Sequence, residues 1–272
     1  MSLNKLTPKN EIKIAQFTVA ASLLLTASGA VQAAPVFDIG IPASWSCQGS
    51  CGASGADGVV ALAPNGGSNY AWVSSSGGVV GLSLAGVGGS GSPQNGSVLR
   101  SGIFNASVDD VLRFSFNYIT SDGAGYGDCA WARLLDSSAN QVALLFTART
   151  TPNGSVVPGF SMPAPSVTLD PLTVPIISGA PVWSPLGSSS GTCFNAGCGY
   201  TGWVNTSFSI ASTGSYFLEF GVVNWSDNNF QPGLAIDAVT INGTPVGAVS
   251  VPFTLLLLSS GLLMLRRRRN LL

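Results

Sequence analysis

The sequence predicts an all-β domain, an antiparallel β-sandwich that is jelly-roll-like, flanked by two apolar terminal segments. Three observations lead to this prediction. Apolar and polar residues alternate with a period of two in many short segments, helical periodicity is nearly absent between the two ends, and turns rich in Gly, Asn, Ser and Asp separate the segments. We therefore expect one β-sandwich domain over residues 34–246, between a signal peptide at 1–33 and a sorting or membrane segment at 247–272.

The N-terminal segment has the order of parts of a secretory signal peptide. A stretch containing three lysines precedes an apolar run from 17 to 30, and small residues near Ala33 suit a signal peptidase. We expect cleavage after Ala33 and export of the chain through the inner membrane. The alternative is an uncleaved N-terminal anchor.

The alternation is clearest in Val111–Tyr118, where Leu112, Phe114 and Phe116 share one face and polar side chains occupy the other. This pattern predicts a half-buried strand. Nine further candidate strands are Val59–Leu62, Tyr70–Val73, Val79–Leu84, Val98–Phe104, Ala130–Leu135, Val142–Thr147, Trp203–Ile210, Tyr216–Asn224 and Leu234–Ile241.

Residues 152–185 interrupt this series of short strands, because they contain eight of the chain's 16 prolines. Proline cannot donate a hydrogen bond to a sheet ladder, so this stretch is predicted to be a long excursion outside the sheets. It is either an ordered cover over the sandwich or a flexible flap that carries function.

The five cysteines of an exported chain favour disulfide bonds. Cys47 and Cys51 are close in sequence, as are Cys193 and Cys198, so two local bridges are the simplest pairing. A single long bridge between these two regions remains the alternative. Cys129 is left over and is interpreted as a small buried apolar residue.

The charge of the domain excludes some functions. Only Glu11 of the 12 acidic residues lies outside it, whereas three lysines and four arginines do, so it carries 11 acidic residues, four arginines and no lysine. Such a domain cannot neutralise a phosphate backbone, and we expect no nucleic-acid partner. The chain has no histidine to activate a nucleophile, and Glu219 is the domain's only glutamate, so we expect no enzyme.

A carboxylate within an apolar strand gives a metal hypothesis. Asp237 is predicted to share a face with Ala235 and Val239, where an unpaired charge would be costly. Its partner is predicted to be Arg113 or Arg133, or else a structural Ca²⁺, which six to eight oxygens bind. The calcium hypothesis adds carboxylates from predicted turns: Asp122, Asp128 and Asp227. We expect no other cofactor.

The tryptophans give a carbohydrate hypothesis. Trp72 and Trp131 lie in strand patterns and are expected in the core. Trp183, between prolines, and Trp225, beside Ser226 and Asp227, are the candidates for an exposed sugar-stacking surface.

The C-terminal segment has three parts: a Val-Pro start, an apolar run to Leu265 and an arginine cluster. The residues that mark it are Val251, Pro252, Arg266, Arg267, Arg268 and Arg269. As a helix, the 15 residues from 251 to 265 would span about 22 Å, less than the roughly 30 Å of a hydrocarbon core. The arginines favour a cytoplasmic C-terminus.

This tail resembles a PEP-CTERM sorting signal, although Phe253 and Thr254 stand where the family usually has Glu-Pro. The domain is also similar to the β-sandwich cargo that precedes such tails, over the stretches Phe114–Gly123, Ala130–Asp136, Leu218–Asn224 and Gly233–Val239. The resemblance implies an exosortase-type processing enzyme as partner and a non-catalytic protein of the bacterial surface or extracellular matrix. The alternatives are a plain membrane anchor for the tail and, for the domain, a carbohydrate-binding module that contacts extracellular polysaccharide.

Overall fold

A computed structural model of the protein describes residues 36–89, 91–151 and 153–247. The predicted signal peptide, the predicted C-terminal helix and the sorting residues Val251, Pro252 and Arg266–Arg269 lie outside these residues. No helix within the described ranges is long and apolar enough to cross a membrane.

The regular secondary structure of the described residues is β-structure apart from one 3₁₀ segment, Ser184–Ser189. In chain order the strands are β1 (Ser46–Gln48), β2 (Ser50–Ser54), β3 (Tyr70–Ser74), β4 (Val79–Val80), β5 (Pro93–Arg100), β6 (Phe104–Ala106), β7 (Val111–Thr120), β8 (Cys129–Asp136), β9 (Gln141–Arg149), β10 (Thr168–Asp170), β11 (Ile177–Ser178), β12 (Gly199–Tyr200), β13 (Val204–Ser209), β14 (Gly214–Trp225), β15 (Pro232–Ile241) and β16 (Thr244–Pro245).

These strands form two antiparallel sheets. The first has the order β1-β5-β14-β8-β9, and the second has the order β10-β13-β7-β15-β3-β2. The eight principal strands are β3, β5, β7, β8, β9, β13, β14 and β15. Numbered one to eight along the chain, they follow the order 1-8-3-6 in the second sheet and 2-7-4-5 in the first, which is the double Greek key of a jelly roll. The predicted fold class is confirmed.

The core lies between the two sheets, where the period-two alternation directs the apolar side chains. Phe114 and Phe116 of β7 contact rings of the opposite sheet. Phe114 meets Phe220 edge to face at 5.3 Å between ring centroids, and Phe116 stacks on Phe146 at 3.9 Å. These cross-sheet pairs fix the two sheets face to face.

The outer face of the second sheet is covered as well, which the sequence pattern did not predict. Ser115 and Asn117, on the outer face of β7, are buried. Both faces of the strand are therefore buried, except near its start at Arg113, which is exposed. The cover includes Val60, Trp183 and other members of a second apolar cluster. The segment Val59–Leu62, predicted as a strand, belongs to this cover and forms only one bridge, between Asp57 and Val60. Its apolar residues pack onto a sheet without extending it.

The structure differs from one other expectation and favours one of the two alternatives given for another. The predicted strand Val98–Phe104 is divided, because β5 ends at Arg100 and β6 begins at Phe104. The described part of the proline-rich stretch is an ordered cover of the sandwich. Its strand β10 pairs with β13, and Val156, Leu169 and Val174 join the main core.

Both local disulfides are present. Cys47 pairs with Cys51 and Cys193 with Cys198, with Cα atoms 6.1 and 5.7 Å apart, so the alternative of a long bridge is wrong. Cys129 is a free, buried thiol, and burial raises its pKa to about 12. It is therefore an inert packing residue.

Candidate functional site

The outer face of the first sheet buries Glu219, which lies on β14 between β5 and β8. Its Oε2 accepts a hydrogen bond from Arg100 Nη2 at 2.7 Å, and its Oε1 accepts one from Arg133 Nε at 2.6 Å. Arg133 Nη1 donates to the carbonyl oxygen of Ala85 at 2.7 Å, and its Nη2 donates to that of Ser83 at 3.1 Å. The register creates this cluster, because Glu219 faces Arg100 on one side and Arg133 on the other. The charges are compensated inside the protein.

A polar cavity of about 240 Å³ opens beside this cluster, and its lining includes Ser46, Gln48, Ser83 and Arg100. Glu219 is the one carboxylate in the lining, and both of its oxygens are bound to arginine. The cavity therefore lacks the second carboxyl group that glycoside hydrolysis requires.

A different site lies at one end of the sandwich, where three loops meet: 121–128, 193–198 and 226–231. We call this region the loop end. Ala124 N–H donates to Ala196 O at 2.8 Å, and Phe194 N–H donates to Ser121 O at 3.0 Å. Ser121 N–H in turn donates to Gln231 O at 3.3 Å. The Cys193–Cys198 disulfide closes the central loop of the three.

Two carboxylates are buried at the loop end. Asp122 follows β7 and Asp128 precedes β8, and each side chain is only 1% exposed. One oxygen of each is used: Asp122 Oδ1 accepts the Gly123 N–H at 2.7 Å, and Asp128 Oδ1 accepts the Trp225 N–H at 2.8 Å. The Oδ2 atom of each has no hydrogen-bond partner among the described residues. Buried carboxylate oxygens without partners are costly.

Burial and mutual repulsion disfavour the charged form of both groups. Burial raises the pKa of Asp122 to about 6, and the neighbouring Asp227 adds to this increase. Burial also raises the pKa of Asp128 well above its usual range, with further contributions from Asp122 and Asp227, while Arg149 opposes them. Three of the four predicted metal residues, Asp122, Asp128 and Asp227, are therefore within electrostatic range of one another.

Asn224, which the sequence analysis missed as a site residue, completes this cluster. It lies near the end of β14 and is fully buried. Its Nδ2 donates to Asn95 Oδ1 at 3.2 Å and to Gln231 Oε1 at 3.1 Å, whereas its Oδ1 has no partner among the described residues. Its signal in the sequence was a lone amide within the otherwise apolar run Gly221–Trp225.

Asp237, the fourth predicted metal residue, lies elsewhere in the second sheet. Neither arginine proposed for it is its partner, because Arg133 pairs with Glu219 and Arg113 is exposed. Its Oδ1 accepts the Ala238 N–H at 2.7 Å, and its Oδ2 has no hydrogen-bond partner among the described residues. Burial raises the pKa of Asp237 to about 6.

The expectation that Asp237 shares a face with Val239 is also wrong. The register of β15 against β7 shifts between Asp237 and Thr240, and Ala238 has a φ of 54°. This bulge returns Val239 to the main core, whereas Ala235 packs in the outer cluster.

The two tryptophans predicted to be exposed are buried. Trp183 is 0% exposed, because the proline-rich chain folds onto the sheet and its Nε1 donates to Tyr70 Oη at 2.9 Å. Trp225 is 5% exposed and packs with Val87 and Trp131 against the outer face of the first sheet. Neither is placed to stack on a sugar.

The loop end instead presents three aromatic rings that the sequence analysis did not select. Phe194 meets Tyr126 edge to face at 5.1 Å between centroids and Phe230 at 4.9 Å. Phe194 is 47% exposed, and the other two are partly exposed. Because the three rings come from three different loops, their proximity is not visible in the sequence.

The loop end can therefore offer oxygen atoms to a cation and aromatic rings to a ligand. Within the described part of the chain, no three carboxylate or thiolate side chains converge at metal-binding spacing. A cation here would thus need amide, carbonyl or water oxygens in addition to Asp122 and Asp128.

No protein-family model matches the chain, and no curated protein matches it. Among solved structures, it is similar to the K1 and K3 cleaved adhesin domains of Lys-gingipain from Porphyromonas gingivalis W83. Each is 13% identical with a TM-score of 0.34, and the alignments cover 75% and 76% of this chain and 94% and 99% of those domains. The enzymatically active domain of bacteriophage CBA120 tailspike protein 4 is 10% identical with a TM-score of 0.32. That alignment covers 73% of this chain but only 19% of the tailspike chain. Similarity at this level says nothing about function.

Proposed function

We propose that this chain is an exported, non-catalytic protein of the bacterial cell surface or extracellular matrix, whose C-terminal segment directs its sorting. The observation that carries the proposal is the pair of disulfides, Cys47–Cys51 and Cys193–Cys198. Disulfides persist in oxidising compartments outside the cytoplasm. A domain stabilised in this way fits the signal-peptide pattern that precedes it in the sequence.

The sequence of the tail supports the sorting part of the proposal. Its Val-Pro start and apolar run are followed by Arg266–Arg269, and four arginines resist translocation. This order of parts suits an exosortase-type enzyme that holds the tail in the membrane and releases the domain outside.

The test is the intact mass of the protein from native cells, compared between membrane and released fractions. We expect a released form that lacks residues 1–33 and the tail through Arg269. Replacing the four tail arginines with glutamine should abolish release, whereas the control Arg113→Gln should not. A protein that keeps its tail and occurs only in membranes would refute processing and leave a single-span anchor. A cytoplasmic protein that retains residues 1–33 would refute the proposal as a whole.

A carbohydrate-binding module is the second candidate, and the aromatic surface of Tyr126, Phe194 and Phe230 favours it. Exposed rings offer apolar faces on which sugar rings can stack. The expected partner is an extracellular polysaccharide.

A glycan array followed by titration tests this candidate. Phe194→Ala should weaken binding of a retained glycan roughly tenfold, equivalent to about 1.4 kcal/mol. Phe160→Ala is the matched control, because Phe160 is exposed but lies outside the three loops. Absence of binding to the array, or equal losses in the two variants, would count against this module.

A further inference from the structure

We propose that the loop end holds a calcium ion between the two sheets, with Asp122, Asp128 and Asn224 as its side-chain ligands. This inference does not depend on the proposed function, because it concerns the stability and order of the loops rather than their partner.

The first argument is the set of unused oxygens. Asp122 Oδ2, Asp128 Oδ2 and Asn224 Oδ1 are all buried and have no hydrogen-bond partner among the described residues. Buried polar atoms are normally paired, and three such acceptors at one end of a domain need a common donor or cation. All three are oxygens, which excludes a neutral apolar occupant and favours a hard cation.

The second argument is that the sheet register brings these residues together. Cys129 pairs with Val223 at the end of the β8–β14 ladder, and Asp128 and Asn224 are the next residues of the two chain segments. The bond from the Trp225 N–H to Asp128 Oδ1 shows that the two segments stay adjacent beyond this pair. Gln231 accepts from Asn224 Nδ2 through its Oε1 and from the N–H of Ser121, which precedes Asp122 in sequence, through its carbonyl oxygen. Asp122 in turn lies close enough to Asp128 to raise its pKa.

The third argument is that, among the described residues, no arginine forms an ion pair with Asp122 or Asp128. In the part of the chain that the structure describes, both ion pairs belong to Glu219. Arg149 is the arginine near the loop end, and its Nη1 donates to Phe160 O at 3.2 Å. It forms no ion pair with Asp122 or Asp128 among the described contacts. The two carboxylates therefore lack the compensation that Glu219 has.

Calcium fits this set of ligands better than other common metals. The chain has no histidine, and its cysteines are paired or buried, so zinc and copper lack their usual ligands. Calcium accepts six to eight oxygens in flexible geometry, which allows two carboxylates and an amide to be completed by carbonyl groups and water. Asp227, which is partly exposed, adds negative charge close to both carboxylates. Extracellular modules typically bind calcium with dissociation constants of about 10⁻⁴–10⁻³ M.

The test uses the exported protein purified in a mild detergent and titrated calorimetrically with CaCl₂ after chelator treatment. We expect one saturable site. Asp128→Asn should weaken binding by at least tenfold, and Asp122→Asn serves as the second ligand variant in case the first does not fold. The matched control is Asp237→Asn, because Asp237 is equally buried and also has an unpartnered oxygen, but lies away from the loop end. It should leave the affinity unchanged.

Terbium luminescence gives an independent readout with the wild-type protein alone. Tb³⁺ in this site should be sensitised by excitation of Tyr118, whose hydroxyl donates to the carbonyl oxygen of Asp128 at 2.8 Å, and CaCl₂ should quench the signal competitively. The proposal is overturned if no saturable binding occurs up to 10 mM calcium, an upper limit about tenfold above the weakest extracellular modules. It is also overturned if the folded Asp128 and Asp122 variants bind as the wild type does, or if Asp237→Asn abolishes binding.

Discussion

The outer face of the first sheet and the loop end both bury carboxylates, but only the first pairs its carboxylate with arginines. Glu219 is 1% exposed and has an arginine on each oxygen. Asp122 and Asp128 are equally buried, yet each has one backbone N–H partner and one oxygen without a partner. The first arrangement is complete within the chain, and the second is not.

This difference separates a structural role from a binding role. A buried ion pair that is fully hydrogen-bonded needs no further ligand, because its partners offset the cost of removing the charges from water. Two neighbouring carboxylates that have no ion-pair partner each disfavour the charged form of the other. The incomplete region is therefore the one for which an external ligand is needed.

The largest expected effect comes from breaking the complete region. Glu219→Gln removes the counter-charge of Arg133, which is 6% exposed, and should lower the free energy of unfolding by about 3–5 kcal/mol. Chemical denaturation measures this loss. Asp170→Asn, at an exposed carboxylate, is the control and should change stability by less than about 0.5 kcal/mol. A loss below about 1 kcal/mol for Glu219→Gln would show that the cluster does not need its carboxylate.

At the loop end, Asp128→Asn should change the free energy of unfolding in opposite directions without and with calcium. With chelator, Asp128→Asn should raise the free energy of unfolding by about 1–2 kcal/mol. The substitution removes a repelled charge and supplies an N–H able to donate to Asp122. With saturating calcium, the same variant should be less stable than the wild type. Paired denaturation curves in the two buffers measure the reversal, and a variant that is destabilised equally in both would contradict this account.

The third change is at Asp237, whose Oδ1 accepts the Ala238 N–H and whose Oδ2 has no hydrogen-bond partner among the described residues. Its pKa of about 6 in the folded protein exceeds the usual value of 3.8. The folded state therefore retains a proton that the unfolded state has lost, and this group's contribution to stability falls as pH rises from about 4 to 6.

The size of this contribution should be at most about 3 kcal/mol, because the pKa rises by about two units and one unit corresponds to about 1.4 kcal/mol. Denaturation between pH 4 and 7 should show a slope that is shallower in Asp237→Asn than in wild type and unchanged in Asp170→Asn. Identical slopes in Asp237→Asn and wild type would mean that Asp237 titrates normally.

The sequence predicted those parts of the fold that depend on local patterns. The alternation in Val111–Tyr118 identified β7, and the short cysteine spacings identified both disulfides. Burial of the outer faces was not predictable, because the segments that cover them are distant in sequence. Trp183 illustrates this, since its flanking prolines indicate a loop, while the contact that buries it is with Tyr70, 113 residues away.

The candidate site was predicted only in part for the same reason. Asp122 and Asp128 could be selected as acidic turn residues. Asn224 differed from its neighbours only as a lone amide in an apolar run, and its role depends on where β14 lies against β8. The partners of Glu219 lie 119 and 86 residues away and meet it only in the assembled sheet. Asp237 was wrongly predicted to share a face with Val239 because period-two counting cannot detect the bulge at Ala238.

The most direct test of the central claim, that the loop end is completed by a cation, is the melting temperature of the wild-type protein with calcium and with chelator. The two samples are matched in pH and ionic strength. At about 100 times its dissociation constant, calcium should stabilise the folded state by about 2.7 kcal/mol and raise the melting temperature by about 5–10 °C. Identical melting temperatures in the two samples would contradict the account.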